Sequence, residues 1–162
     1  MSVVTVQVGQ CGNQLGHQLF STLLQEAQHG ADATQAAIAD TFFREPGCSQ
    51  RLGLPVARAV LVDTEDKVVS RVLRSAENTG RWSYDASRCT SRQSGAANNW
   101  ANGYMKQGPV VRDAVCDGLR REAEACDSMQ VRGGQWRAVA GSGKQWWAVV
   151  VRVGRAIEVS SG

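Results

Sequence analysis

The sequence predicts an α/β fold with a parallel sheet, and three observations carry that expectation. A β-branched run, Val3–Val8 ("VVTVQV"), passes through a glycine-spaced turn into a helical pattern. A second apolar run, residues 57–63 ("ARAVLVD"), ends on an acid and is followed by another helical pattern. The alternation strand, turn, helix, loop, strand, helix is the one that buries strands between helical layers.

Each element has a local reason. Val3–Val8 is nearly all apolar, as expected of a strand covered on both faces. Leu15, Leu19, Phe20, Leu23, Leu24 and Ala27 then recur at helical spacing, and Gly30 is placed to close that helix. A shorter helix is expected from Ala33 to Phe43, ending in the loop "EPGCSQRLGLP". "KVVSRVLRSA" should be helical after the second strand, and residues 77–93 read as polar and irregular apart from a short strand near their end. Gly108-Pro109 starts the most regular helix. Val111, Ala114, Val115, Leu119, Ala123 and Cys126 form its apolar stripe. Arg112, Asp113, Asp117, Arg120, Arg121, Glu122, Glu124 and Asp127 are expected on its outer face.

Composition limits the function classes. With 162 residues, 43% hydrophobic and 20% charged, the chain has enough material for one soluble globular domain. No apolar run approaches the roughly 20 residues needed to span a bilayer, so no membrane partner is expected. "MSVVTVQV" lacks the basic-then-apolar order of a signal peptide, which points to the cytoplasm. Cys11, Cys48, Cys89, Cys116 and Cys126 are odd in number and contain no CxxC pair, against both a zinc site and a disulfide framework. Residues 1–130 hold 13 Lys/Arg against 14 Asp/Glu, whereas residues 131–162 hold five against one. The basic balance therefore belongs to the tail, and nucleic acid is not an expected partner of the body.

Three loops could carry chemistry. Gly9, Gly12 and Gly16 have G-x-x-G-x-x-x-G spacing, which is not the dinucleotide fingerprint. Glycines nevertheless let backbone approach a polyphosphate, and the following helix directs its free N–H groups at the anion. The alternative is a plain strand-to-helix turn. Asp63-x-Glu65 puts two carboxylates at a strand end, fit either for Mg²⁺ or for a helix cap. "SGAANNW", residues 94–100, offers backbone and amide donors, or is an ordinary Gly/Asn turn. In a parallel sheet all three loops arrive at the carboxyl edge, where ligands bind.

Taken together, "VGQCGNQLG", Asp63-Thr64-Glu65 and "SGAANNWANGY" resemble the nucleotide loops of the tubulin superfamily, in the family's order. "MSVVTVQVGQCGNQLG", "PVARAVLVD", "GRWSYD" and "REAEACDS" look like its delta branch. The resemblance implies a Rossmann-like, partial tubulin nucleotide-binding domain with parallel strands and flanking helices. It implies GTP and Mg²⁺ as cofactors, with other tubulin subunits and centriolar or basal-body proteins as partners. The places it implies are cytoplasm and cytoskeleton, centriole or centrosome, the basal body of the cilium, and the nucleus. Carried over by residue, Gly9, Gln10 and Cys11 line the nucleotide, with Gln10 near phosphates and Mg²⁺, Cys11 at the guanine and ribose end, and Gln14 on the base side. Asp63 and Glu65 lie near Mg²⁺ and the γ-phosphate, and Ala96, Ala97 and Asn98 meet the terminal phosphates. Ala97 departs from the family's glycine, which weakens that loop if the position needs positive φ.

The resemblance covers residues 1 to about 130. After "CDS" the family continues into a G-G-T-G-S-G loop, whereas this chain continues as a basic tail rich in Trp and Gly. Its "AGSGK" is no P-loop, because Ala138 and Gln145 stand where glycine and Ser/Thr are required. The expectation is a family-like body, 1–130, and an unrelated tail, 131–162, that begins as retained intron or a mis-called exon at Val131. Sequencing transcripts across Gln130–Val131 tests this, and independent transcripts that all carry the tail, from a locus without downstream tubulin exons, would overturn it. The family's remaining phosphate loop, guanine clamp and hydrolysis loop lie past this point, so GTP binding is expected to be weak and GTPase activity rests on family alone. The body is expected to leave a sheet edge unpaired, on which "WWAVVVRV" could add a strand or aggregate. Other readings are a non-enzymatic interaction module, a non-functional gene-model fragment, and a dinucleotide-dependent oxidoreductase, the last disfavoured by the glycine spacing.

Overall fold

A computed structural model of the chain describes residues 2–47, 53–93, 99–126 and 147–152. Strand β1 (Val3–Val8) runs directly into helix α1 (Gly9–His29), followed by α2 (Asp32–Phe42), β2 (Phe43–Arg44), β3 (Val56–Ala57), β4 (Ala59–Asp63) and α3 (Asp66–Asn78). Then come β5 (Cys89–Ser91), the short α4 (Trp100–Asn102), a π-helical turn over Gly103–Gln107, α5 (Gly108–Glu124) and β6 (Trp147–Arg152). The main sheet has the order β5-β4-β1-β6. β1 and β4 are parallel from Thr5↔Ala59 to Val8↔Val62, and β5 is parallel to β4. The expected parallel α/β core is present.

Helices cover both faces of this sheet. On one side Phe20 of α1 and Val69, Val72 and Ala76 of α3 pack with Ala59, Leu61, Phe43, Trp82 and Tyr84. On the other, Val111, Val115 and Leu119 of α5 meet Val6, Val60 and Val62. Full burial of a Val, Leu or Phe side chain contributes about 1.5–3 kcal/mol, and β4, buried at all five positions, lies at the centre of the fold.

Several local expectations needed correction. Leu15 and Leu19 are 57% and 40% exposed. The buried face of α1 is instead Gly12, Asn13, Gly16, Phe20 and Ala27. At Gly16 a Cβ would collide with the Gln7 side chain, so this glycine sets the approach of α1 to β1. Gly30 does close α1, as expected, with an extended backbone (φ −86°, ψ 168°). The strand expected over residues 57–63 breaks at Arg58. Its N–H donates to the Phe42 carbonyl, and its guanidinium donates to the carbonyls of Phe43 and Ala125.

α5 begins at Gly108-Pro109, as expected, but it continues helical structure that is already under way. Helical structure starts at Trp100, and the π turn precedes the proline, with the Gly108 N–H reaching the Gly103 carbonyl. Proline cannot donate to the carbonyl four residues back and its ring crowds that carbonyl, and a widened turn relieves both. Ala114 is exposed instead of lying in the buried stripe. Glu122, expected outside, is fully buried between Arg44 and Arg88 (3.2 Å each). Residues 77–93 are not merely polar: Trp82 and Tyr84 are core, with ring centroids 4.8 Å apart. The sheet edge that the body leaves at β1 is taken by β6, the strand that "WWAVVVRV" could add, which pairs antiparallel from Val3↔Arg152 to Val8↔Trp147.

Candidate functional site

The register Val8↔Val62 sets the residues after β1 and β4 side by side at the carboxyl edge. Gly9 turns the chain there with φ +73°, a conformation costing most L-residues about 1–2 kcal/mol, and α1 begins at once. No side chain caps this helix and no acid lies in its first turn. Its leading N–H groups and positive dipole end therefore remain available to an anion. Asn13, fully buried, donates through Nδ2 to the carbonyls of Gly9 (2.9 Å) and Val62 (3.3 Å), tying that first turn to the end of β4.

Asp63 stands across from this turn. Its Oδ1 accepts the Glu65 N–H at 3.0 Å, while Oδ2 is buried without a hydrogen-bond partner among the described residues. Burial pushes the Asp63 carboxyl above the usual carboxylate range, against the lowering effect of the Glu65 N–H, and the Glu65 charge raises it further. Both effects would be relieved by a cation. Glu65 itself is exposed at the start of α3. No group of three or more acids, histidines or cysteines is poised for a metal among the described residues. An ion here would keep water and ligand oxygens in its shell, which is how Mg²⁺ binds.

Gln10 and Gln14, both exposed and one turn apart, line an open groove between α1 and α3 with His17, Val68, Arg71, Val72 and Ser75. Cys11 lies half-buried in the first turn. The structure thus brings Gly9, Gln10, Cys11, Asp63 and Glu65 to one edge, with Gln14 a turn further along. Ala96, Ala97 and Asn98 lie outside the described residues, as does "AGSGK". The adjoining Asn99 holds the start of α4, its Oδ1 accepting the Asn102 N–H at 3.2 Å. Sequence reasoning passed over Asn13, Arg71 and His17. The signal for Asn13 was its position four residues after Gly9, one helical turn, which places an amide over the strand ends.

A glycine-turned strand-to-helix junction facing an acid-ended parallel strand defines an α/β nucleotide-binding class of fold. The Tubulin/FtsZ family, GTPase domain, matches residues 2–134, and the chain belongs to that family. It is 42% identical to the tubulin delta chain of Macaca fascicularis over 136 residues, 79% of this chain and 29% of that one. It is 40% identical to the tubulin delta chain of Homo sapiens over the same shares. Identity to the tubulin beta chain of Pyropia yezoensis is 37%, covering 79% of this chain and 28% of the relative. The chain thus spans under a third of the length of the relatives it matches. No helix among the described residues is long and apolar enough to cross a membrane.

Proposed function

We propose that the chain is a delta-tubulin-like, GTP-binding cytoskeletal protein whose first loops hold the phosphate end of the nucleotide. One observation carries this reading: the uncapped first turn of α1, reached through the left-handed Gly9, faces the buried, unpaired Oδ2 of Asp63. Gly9, Gln10 and Cys11 would meet the phosphates and ribose, Gln14 the base side, and Ala96, Ala97 and Asn98 the terminal phosphates. Asp63, Glu65 and Gln10 would hold Mg²⁺ or its water shell. Bound Mg²⁺ supplies charge neutralisation to phosphate oxygens. The protein's own part is to fix the anion on backbone N–H groups and to place the Asp63 carboxyl opposite it, where a cation would offset the burial that disfavours its charge. No residue is assigned a role in hydrolysis.

The finer placement, with other tubulin subunits at centrioles, centrosomes, ciliary basal bodies or the nucleus, is supported by the delta-branch resemblance. Imaging the tagged chain in ciliated cells tests it, and a uniformly diffuse signal would overturn it. Nucleotide binding is tested by calorimetry of the full chain with GTP and Mg²⁺. Phosphate contacts alone should give a dissociation constant on the order of 1 mM, about −4 kcal/mol, weakened when Mg²⁺ is omitted. A folded chain that shows neither heat nor thermal protection at saturating GTP overturns the reading. Salt-dependent association with a macromolecule, indifferent to nucleotide, would then favour the interaction module.

A further inference from the structure

The edge of β1 opposite β4 is a strand-docking site, and its geometry does not depend on the nucleotide reading. Val3–Val8 is buried at all four interior positions, the pattern of a central strand that needs a neighbour on each side. β4 supplies one. The Thr5 N–H donates to the Arg58 carbonyl at 2.9 Å on that side. Backbone direction alternates along a strand, so Thr5 and Gln7 turn their N–H and C=O groups to β4. Val4, Val6 and Val8 therefore turn theirs to the opposite edge. There the register sets Val4 against Val151, Val6 against Val149 and Val8 against Trp147. These are the pairs that exchange both hydrogen bonds, whereas Ala148, Val150 and Arg152 turn their N–H groups out of the sheet.

We propose that Trp147–Arg152 is an intramolecular capping strand that occupies this docking site and closes β1 to extended segments of other molecules, a second copy of this chain included. The occupant lies past residue 134, where the family match stops, yet it follows β1 over its full six residues. An antiparallel return needs no crossover helix, which allows a segment from outside the parallel core to fill the edge. Without it the outward groups of Val4, Val6 and Val8 would form an open, valine-rich edge, the kind that recruits strands from other chains.

Residue-resolved amide exchange on the full chain tests the assignment. Val4 and Val6 should be protected along with Thr5 and Gln7. Val149→Pro removes a donor facing β1, and should speed exchange at Val4 and Val6 by about tenfold or more. Thr5 and Gln7 should change little, and sedimentation should show self-association. Val150→Pro removes an outward donor and should leave protection and mass unchanged. Free exchange at Val4 and Val6 in the parent chain, or equal effects of the two prolines, would overturn the proposal. So would protection that disappears on dilution to monomer, which would place the strand in a second copy. Should Val149→Pro fail to fold, a synthetic peptide of residues 147–152 decides: the capped parent chain excludes it, and capture of the peptide overturns the assignment.

Discussion

At the scale of single residues, Asp63 combines two demands that oppose each other. The fold buries its carboxyl, and the proposed ligand site needs it charged. Because its folded pKa lies above the usual 3.8, the folded state holds this proton more tightly than the unfolded chain does. Protonated Asp63 therefore adds stability that is fully present below the unfolded pKa and is lost as pH rises through the folded one. Asp85 has the opposite sign. Its folded pKa is depressed by hydrogen bonds from Ser87 and by Arg44 and Arg88, which outweigh desolvation, so its contribution is lost as pH falls. Comparing Asp63→Asn with the parent cancels the Asp85 term. The variant should melt higher than the parent at pH 7 without Mg²⁺, with the gain shrinking towards pH 4, and its nucleotide binding should lose Mg²⁺ dependence. A lower melting temperature at pH 7 would show that the carboxylate is already satisfied in the free protein.

Among the elements, α5 shows what local periodicity can and cannot reveal. Its existence, like that of β1, α2 and α3, follows from residue spacing within a dozen positions, and those elements were legible. Its buried face was not fully legible, because Glu122 is matched by Arg44 and Arg88, 78 and 34 residues away. A charge on a helix reads as solvent-facing until its partners are placed. Trp82 and Tyr84 were hidden similarly: polar neighbours obscure two rings whose contacts are Phe20 and Phe43. At the site, the glycine turn and the acid pair were readable as types; the spacing of Asn13 from Gly9 was readable too, whereas its bond to Val62 required the Val8↔Val62 register. Glu122→Ala would leave the largely buried Arg88 guanidinium without its carboxylate and Arg44 with Asp85 alone. It should cost about 3 kcal/mol, seen as a lower urea midpoint with an unchanged slope. Gly118→Ala, on the same helix, adds a Cβ in ordinary contact with Val60 at 3.4 Å, and should be neutral or gain up to about 1 kcal/mol from helix propensity. Equal losses in the two variants would mean that α5 docks by shape and that the ion pairs contribute nothing specific.

For the whole molecule, the distribution of site residues decides what kind of ligand recognition is available. The described edge consists of an uncapped helix turn, a buried acid and exposed amides, all suited to phosphate, ribose and a hydrated cation. The family match runs through residue 134, under a third of the length of the relatives named above. If binding energy concentrates on the triphosphate, the chain should distinguish nucleotides by phosphate count and hardly by base, because GTP and ATP present the same triphosphate–Mg²⁺ group. Competition binding on the full chain should then find GTP and ATP within about threefold of each other, roughly 0.7 kcal/mol, with GMP at least tenfold weaker. A GTP preference above about tenfold would sink this account, since a gap of roughly 1.4 kcal/mol needs donors and acceptors matched to the guanine edge. Such a preference would assign Gln14, or residues beyond the described edge, a direct hold on the base.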